Sequence, residues 1–222
     1  MDTTRRGWLA AMAAAPLALG LGAWTSTRRR FREIPPRELI RRRLPNVELI
    51  THHGRRVRFY DDLVRDRKVV VSFMYTHCQG ICLPVTHNLV RVQRLFGDRV
   101  GRDIFFYSIT LKPWQDSPEA LARYAEANGV GPGWLFLTGS NAACETLRRR
   151  LGFVDPDPKL DADPRNHAGN ILYGNEPLML WAACPGQADA DWIATSIRAQ
   201  VDRPAPVASG ITSPAKRSIS SS

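Results

Sequence analysis

The stretch Val69-Val-Val-Ser-Phe-Met-Tyr-Thr-His-Cys78-Gln-Gly-Ile-Cys82-Leu-Pro-Val-Thr-His-Asn-Leu89 decides the fold. It opens as a run of β-branched and aromatic residues, the composition of a buried strand. It leads into apolar residues at Val85, Leu89, Val92, Leu95 and Phe96, the spacing of an amphipathic helix. Two cysteines with three residues between them occupy the join. With Cys82 opening the helix and Cys78 in the turn before it, both sulfurs converge on a helix N-terminus. Unpaired N–H groups and the positive end of the helix dipole favour thiolates there. The pattern marks a chemical site rather than packing.

Outward from this join, the elements alternate. Upstream, Val47–Ile50 and Val57–Phe59 alternate across Thr51-His-His-Gly54, a hairpin signal, and Asp61-Asp62-Leu-Val leads into the strand at 68–75. Gly97 ends the helix that follows the cysteines. Asp103–Leu111 reads as a second buried strand, and Ser117 caps a helix that has Pro118 just inside its start and runs to Asn128-Gly129. Trp134–Thr138 is a third strand, and Ser140 or Asn141 caps a helix to Arg150. Residues 155–164 read as a polar, Pro-rich loop. His167 follows, ahead of a hairpin with strands at Ile171–Tyr173 and Leu178–Trp181 and a turn at Gly174-Asn175. Asp191 caps a last helix to about Val201. The order β-β-β-α-β-α-β-α-β-β-α predicts an α/β chain of thioredoxin-like layout. It has a central mixed sheet flanked by helices, with an N-terminal hairpin extension.

The ends of the chain differ from its middle. Residues 1–27 carry Arg5-Arg6, then Trp8-Leu9, then an uncharged stretch rich in Ala and Gly, which resembles a twin-arginine export signal. The same apolar stretch, near the lower length limit for spanning a bilayer, reads alternatively as a retained anchor. Both readings place the domain in the periplasm or on the outer face of the cytoplasmic membrane. Residues 28–45 form an Arg-rich linker, 46–202 the folded domain, and 203–222 a Pro- and Ser-rich tail that reads as disordered. The formal net charge is +10. Residues 28–43 hold eight arginines against two glutamates, so the basicity belongs to one short segment. The domain lacks basic residues interleaved with aromatics, which argues against a nucleic-acid partner. The arm suits contact with anionic lipid headgroups.

Four cysteines are too few for a disulfide framework in a chain of 222 residues. Cys144 and Cys184 read as small buried side chains or an incidental pair. Cys78 and Cys82 can close a disulfide or hold a soft metal as thiolates. Two thiolates and one imidazole suit a three-coordinate cuprous ion, whereas a structural zinc site takes four ligands. His167 is the best third ligand, with a surface histidine as the bland alternative. His52 and His53 read as solvated turn residues, and His87 as structural or exposed. His77, when charged, can lower the Cys78 pKa, or its ring points away along the chain.

Phe73-Met-Tyr-Thr-His-Cys78-Gln-Gly-Ile-Cys82 resembles the Sco/SenC family of thioredoxin-fold copper-handling proteins. So do Phe59-Tyr-Asp-Asp-Leu, Tyr107-Ser-Ile-Thr-Leu-Lys-Pro-Trp-Gln-Asp116-Ser-Pro118-Glu and Trp134-Leu-Phe-Leu-Thr-Gly139, with His167 ahead of a hairpin. The resemblance spans roughly residues 45–200. It implies that Cys78, Cys82 and His167 bind a copper ion. It also implies delivery of copper or electrons to the dinuclear copper centre of cytochrome c oxidase, whose copper-bearing subunit, or another copper protein, is then the partner. Many members carry Pro after each cysteine and an acidic residue between them, and often Asp at the position of Lys112. Here the loop is Gln79-Gly80-Ile81, and Leu83 separates Cys82 from Pro84. These changes remove negative charge near the site and bear on partner recognition more than on metal binding. Three readings follow: a copper chaperone, a thiol–disulfide reductase in which Cys78 and Cys82 serve as the redox pair, and an interaction domain with a stabilising disulfide.

Overall fold

In the computed structural model, residues 44–163 and 169–204 are described. The export signal, most of the Arg-rich linker, nearly all of the C-terminal tail and His167 lie outside the described residues.

Seven strands form one sheet in the order β2-β1-β5-β4-β3-β6-β7. β1 (Glu48–Thr51) and β2 (Arg56–Arg58) make the first hairpin. β3 (Lys68–Met74), β4 (Ile104–Thr110) and β5 (Trp134–Gly139) are the parallel centre, and β6 (Asn170–Asn175) and β7 (Leu180–Pro185) the second hairpin. β1 joins β5, and β6 joins β3, both antiparallel. A parallel core with a hairpin on each edge is thus a mixed sheet, and the fold is thioredoxin-like, as its layout predicts.

The predominantly apolar run of β3 has a direct cause. Val70 and Met74 face one core cluster, while Val69, Val71 and Phe73 face another. Both faces of the strand are buried, so both sets of alternating positions from Val69 to Met74 are apolar except Ser72, whose buried hydroxyl is paired with that of Ser108 at 2.8 Å. On the first face pack α1 (Cys82–Phe96), α2 (Pro118–Ala127) and α5 (Ala190–Val201). The opposite face takes α3 (Asn141–Arg150), the hairpin and a π-helical turn at Phe59–Val64. α1 buries Val85, Leu89, Val92 and Phe96, whereas Leu95 lies 42% exposed, off the packed stripe. Gly97 ends α1 at φ 53°, a left-handed backbone that favours glycine. The hydroxyls of Ser117 and Ser140 accept the N–H groups of Ala120 and Ala143, capping α2 and α3.

Four details differ from the expectation. The second hairpin turns at 176–179, not at Gly174-Asn175, which both lie in β6. A Cβ on Gly174 would come within 2.5 Å of the Trp181 ring, so this glycine makes room for an indole. Asn175 reaches out of β6 instead, its side-chain amide donating to the Val201 carbonyl at 2.8 Å. The last helix is capped by Asp189, whose carboxylate accepts the N–H groups of Asp191 and Trp192. The Pro-rich loop contains one helical turn, α4 (Pro158–Asp161), capped by Asp157. Arg148 bonds both Asp161 and the Phe153 carbonyl, tying that loop to α3. Finally, His52 is a half-buried extension of the β1–β5 pairing. Its N–H donates to the Phe136 carbonyl at 2.8 Å, and its Nδ1 accepts the Phe136 N–H at 3.0 Å.

Candidate functional site: a dithiol at the mouth of the first crossover

β3 ends at Met74, and α1 begins at Cys82. The loop between them emerges at the C-terminal edge of the parallel strands, where open α/β sheets place their chemistry. Two fastenings hold it. The Cys78 N–H donates to the Tyr75 carbonyl at 3.2 Å, which folds the loop into a turn. Thr76 is bonded to Asp116, a fully buried carboxyl just ahead of α2. Its N–H donates to Asp116 Oδ2 at 3.2 Å and its hydroxyl to Oδ1 at 2.5 Å, while the Thr110 hydroxyl donates to Oδ2. A single carboxyl thereby joins the end of β3 to the end of β4. The Asp-Ser-Pro motif therefore does two jobs: Ser117 starts a helix and Asp116 braces the cysteine loop.

Cys82 is buried and Cys78 half-buried, and both are free thiols. The N-cap residue of α1 is Ile81, which has no side-chain oxygen to offer the open N–H groups of the first turn. Sulfur takes that part. Burial pushes the Cys78 thiol up, but hydrogen bonds from the Cys82 thiol, the Cys82 and Gly80 N–H groups and the Tyr75 hydroxyl outweigh it. Together they hold Cys78 below its ordinary value. Cys82 behaves in the opposite way. Burial and its neighbour Cys78 push it up to about 12. The pair is therefore asymmetric, with one sulfur stabilised as thiolate and the other kept as the proton-bearing donor to it. Burial and Cys78 also raise the Tyr75 phenol above its usual range.

The other described histidines and the other two cysteines make no bond to this site's sulfurs. The His77 ring is exposed, with Nδ1 2.9 Å from the Thr76 hydroxyl, and no bond joins it to a thiol. His87 is exposed and pairs through Nε2 with Asn128 Oδ1 at 3.2 Å. Cys144 packs with Leu147 and Phe153 on one face of the sheet, and Cys184 with Ile171 and Tyr173 on the other. Each is a buried core residue, and the sheet between them excludes an incidental pair. Cys144 also lines a separate cleft of about 570 Å³ with Leu111, Pro113 and Trp114. Among the described residues, no cluster of three His, Cys, Asp or Glu forms a metal site. Tyr75 and Asp116 are the residues that motif reasoning leaves without a role. Their signal is a 40-residue separation between Thr76 and its partner, which local spacing does not carry.

A parallel-centred sheet with a dithiol at the N-terminus of the first crossover helix defines a thioredoxin-like dithiol protein. The chain belongs to the SCO1/SenC family, whose sequence profile matches residues 44–201. No curated protein matches the chain by sequence alone. Among solved structures, it is similar to a SCO1/SenC family lipoprotein from Bacillus anthracis str. Ames, with 19% identity, 72% of this chain and 95% of that one covered, and a TM-score of 0.57. Yeast Sco1 with copper bound gives 18% identity, 72% and 92% coverage and a TM-score of 0.57. BsSco, described as having a disulfide switch and as a member of the Sco family of cytochrome c oxidase assembly proteins, gives 18% identity, 71% and 92% coverage and a TM-score of 0.57. At these identities the likeness carries the fold.

Proposed function

We propose that this chain is an extracytoplasmic copper-binding metallochaperone that holds a copper ion through Cys78, Cys82 and His167. We further propose that it delivers the ion to the dinuclear copper centre of cytochrome c oxidase. The observation that carries this reading is the paired, asymmetric dithiol at the N-terminus of α1. Soft thiolates select a cuprous ion, and the N–H groups facing Cys78 lower the cost of carrying it deprotonated. Copper-bound yeast Sco1 supports the same metal.

Support for His167 comes from its flanks. A Cβ on Gly169 would stand 3.0 Å from Ile81 Cδ1, so the chain after His167 is seated against the loop between the cysteines. Before it, the charge of Asp163 acts on the Tyr75 phenol. His167 is two positions from Gly169, a chain reach of at most about 7 Å. Metal transfer then proceeds by ligand exchange, with donors of the recipient replacing the imidazole and the thiolates in turn. The described residues include no helix long and apolar enough to cross a membrane. Attachment at the membrane surface would therefore fall to the N-terminal segment, through its twin-arginine-type signal and Arg-rich arm.

A second reading has its own observation. A low-pKa sulfur beside a protonated one is the arrangement of an attacking and a resolving thiol, as a thiol–disulfide reductase acting on partner cysteines requires. The disulfide switch described for BsSco supports it. His167 separates the two readings, because disulfide exchange has no need of it.

The test is copper loading of the reduced full chain beside His167→Ala. The carrier reading expects one tightly held copper per chain in the wild type. It expects loss of retention in the variant, with the dithiol still titratable. Unchanged copper affinity in His167→Ala rejects the ligand assignment.

A further inference from the structure

The two edges of the sheet end differently. β2, on one side, is three residues long, and Arg56 and Arg58 flank its Val57. Thr51 N–H donates to the Arg55 carbonyl and Phe59 N–H to the Val47 carbonyl, so the backbone groups of Arg56 and Arg58 face outward. The Arg58 N–H is already taken by the Asp62 carboxylate at 2.6 Å. Charge and an occupied donor close this edge to a further strand.

β7, on the other side, is six residues long and has no such guard. From Pro177 to Ala188 the chain carries no charged residue. The Gly186 N–H donates to the Gly169 carbonyl at 2.7 Å, which marks 169 and 186 as a hydrogen-bonded pair of the β6–β7 register. Bonded and non-bonded pairs alternate along an antiparallel ladder. Leu180, Ala182 and Cys184 therefore turn their backbone groups to β6, while Trp181, Ala183 and Pro185 turn theirs outward. The Pro185 carbonyl accepts the Ala188 N–H at 3.2 Å, and proline has no N–H of its own. The N–H and carbonyl of Trp181 and of Ala183 are left without a partner among the described residues. The Trp181 indole N–H is likewise buried without an acceptor.

We propose that β7 is a self-association edge, on which a second copy of this chain lays its own β7 antiparallel across a two-fold axis at Ala182. In that register Trp181 of each copy opposes Ala183 of the other. Both are hydrogen-bonded pairs, so every open backbone group on the edge finds a partner. An axis at Trp181 or at Ala183 loses one such pair, because Met179 lies in the turn and Pro185 has no N–H. The side chains agree. Trp181 and Ala183 project on one face of the sheet, so a large side chain meets a small one, and Ala182 meets its copy on the other face. An edge that pairs with itself sets any charge near the axis against a like charge, and this one has none. An interface of one strand is small, so the dimer is transient and concentration-dependent. The inference is independent of copper and of the cysteine pair.

The experiment is sedimentation velocity on the reduced full chain over an about hundredfold range of concentration. The wild type should pass from monomer to dimer as concentration rises. Ala183→Pro removes an outward N–H that takes no part in the β6 ladder. It should lower the dimer association constant at least about tenfold. A second variant probes the register. Ala182→Cys, in a chain with Cys78 and Cys82 replaced by Ser, puts two thiols at the axis on Cα atoms about 4.5 Å apart, within disulfide reach. Diamide as oxidant should then lock the copies into a dimer on a non-reducing gel, and should leave the parent chain monomeric.

A wild type that stays monomeric throughout overturns the proposal. So does a dimer that Ala183→Pro leaves at full strength, which would place the contact elsewhere in the chain. A dimer that the introduced thiols fail to lock overturns it as well. If Ala183→Pro does not fold, as circular dichroism would report, Ala183→Lys decides by the same criterion, because it sets a charge on the exposed edge and spares the ladder.

Discussion

Cys78 and Cys144 are the same side chain in two settings, and the contrast shows what makes a thiol a chemical site. Cys144 lies in α3 among apolar neighbours, and burial alone pushes it up to about 12. Cys184 has one hydrogen-bonding neighbour, Tyr173, and burial still pushes it up to about 11. Cys78 is also desolvated, yet it ends below its ordinary value, because hydrogen bonding from the Cys82 thiol, the Cys82 and Gly80 N–H groups and the Tyr75 phenol outweighs its burial. Burial is thus common to the cysteines, and donors distinguish one of them.

The largest effect that tests this contrast is on metal. Replacing both Cys78 and Cys82 by Ser should abolish copper retention, read as copper per chain, while Cys144→Ala leaves it intact. Loss of copper in Cys144→Ala would break the division between working and core cysteines. Next comes reactivity. At neutral pH, Cys78 should be alkylated by iodoacetamide at least about tenfold faster than Cys144 or Cys184, because the thiolate is the nucleophile. Peptide mass mapping over time measures the ratio, and equal rates would contradict the asymmetry.

The brace gives a third, stability-based test. Asp116→Ala removes an acceptor from Thr76 and Thr110 inside the protein. Unsatisfied buried donors of this kind cost about 3 kcal/mol in total, readable by urea unfolding. Cys144→Ala should cost less, about 1 kcal/mol, as a small core truncation.

The smallest effect is one of pH. Burial and His53 hold the His52 pKa below 6.5, so the folded chain takes up this proton later than the unfolded one. Stability from this group is present above the unfolded value and is lost as pH falls through the folded one. Protonation at Nδ1 would also end its acceptance of the Phe136 N–H. His52→Gln should therefore flatten the pH dependence of urea midpoints below about pH 6.5. An unaltered slope would show that His52 adds nothing there.

Much of this molecule is legible in its residues. The run from Val69 to Met74 announces a strand buried on both sides, and Ser117-Pro118 and Ser140 mark helix starts that the structure keeps. The cysteine spacing likewise brings two sulfurs to a helix N-terminus. What sequence reading misses depends on contacts from afar. Gly174-Asn175 has the composition of a tight turn, but the glycine answers to Trp181 and the asparagine to Val201. Asp189 and Asp191 are equal as caps by type, and only the chain path chooses the first. His52 looks like a turn residue until β5 arrives beside it. The site is legible as a pair of residues, whereas the Tyr75 and Asp116 contacts that set its chemistry come from the tertiary fold.

The Asp116 brace has one more consequence. Thr76 is pinned on one side and Cys82 is already helical on the other, so only residues 77–81 separate two immobile posts. Sulfurs stand about 2 Å apart in a disulfide and roughly 4 Å apart when both grip one metal at about 2.3 Å. That whole difference must be absorbed by a five-residue span, in which a Cβ at Gly80 would meet nothing within 4 Å. The sheet beneath need not move between empty, oxidised and loaded forms. On the dithiol side, any such change would be confined to this short span.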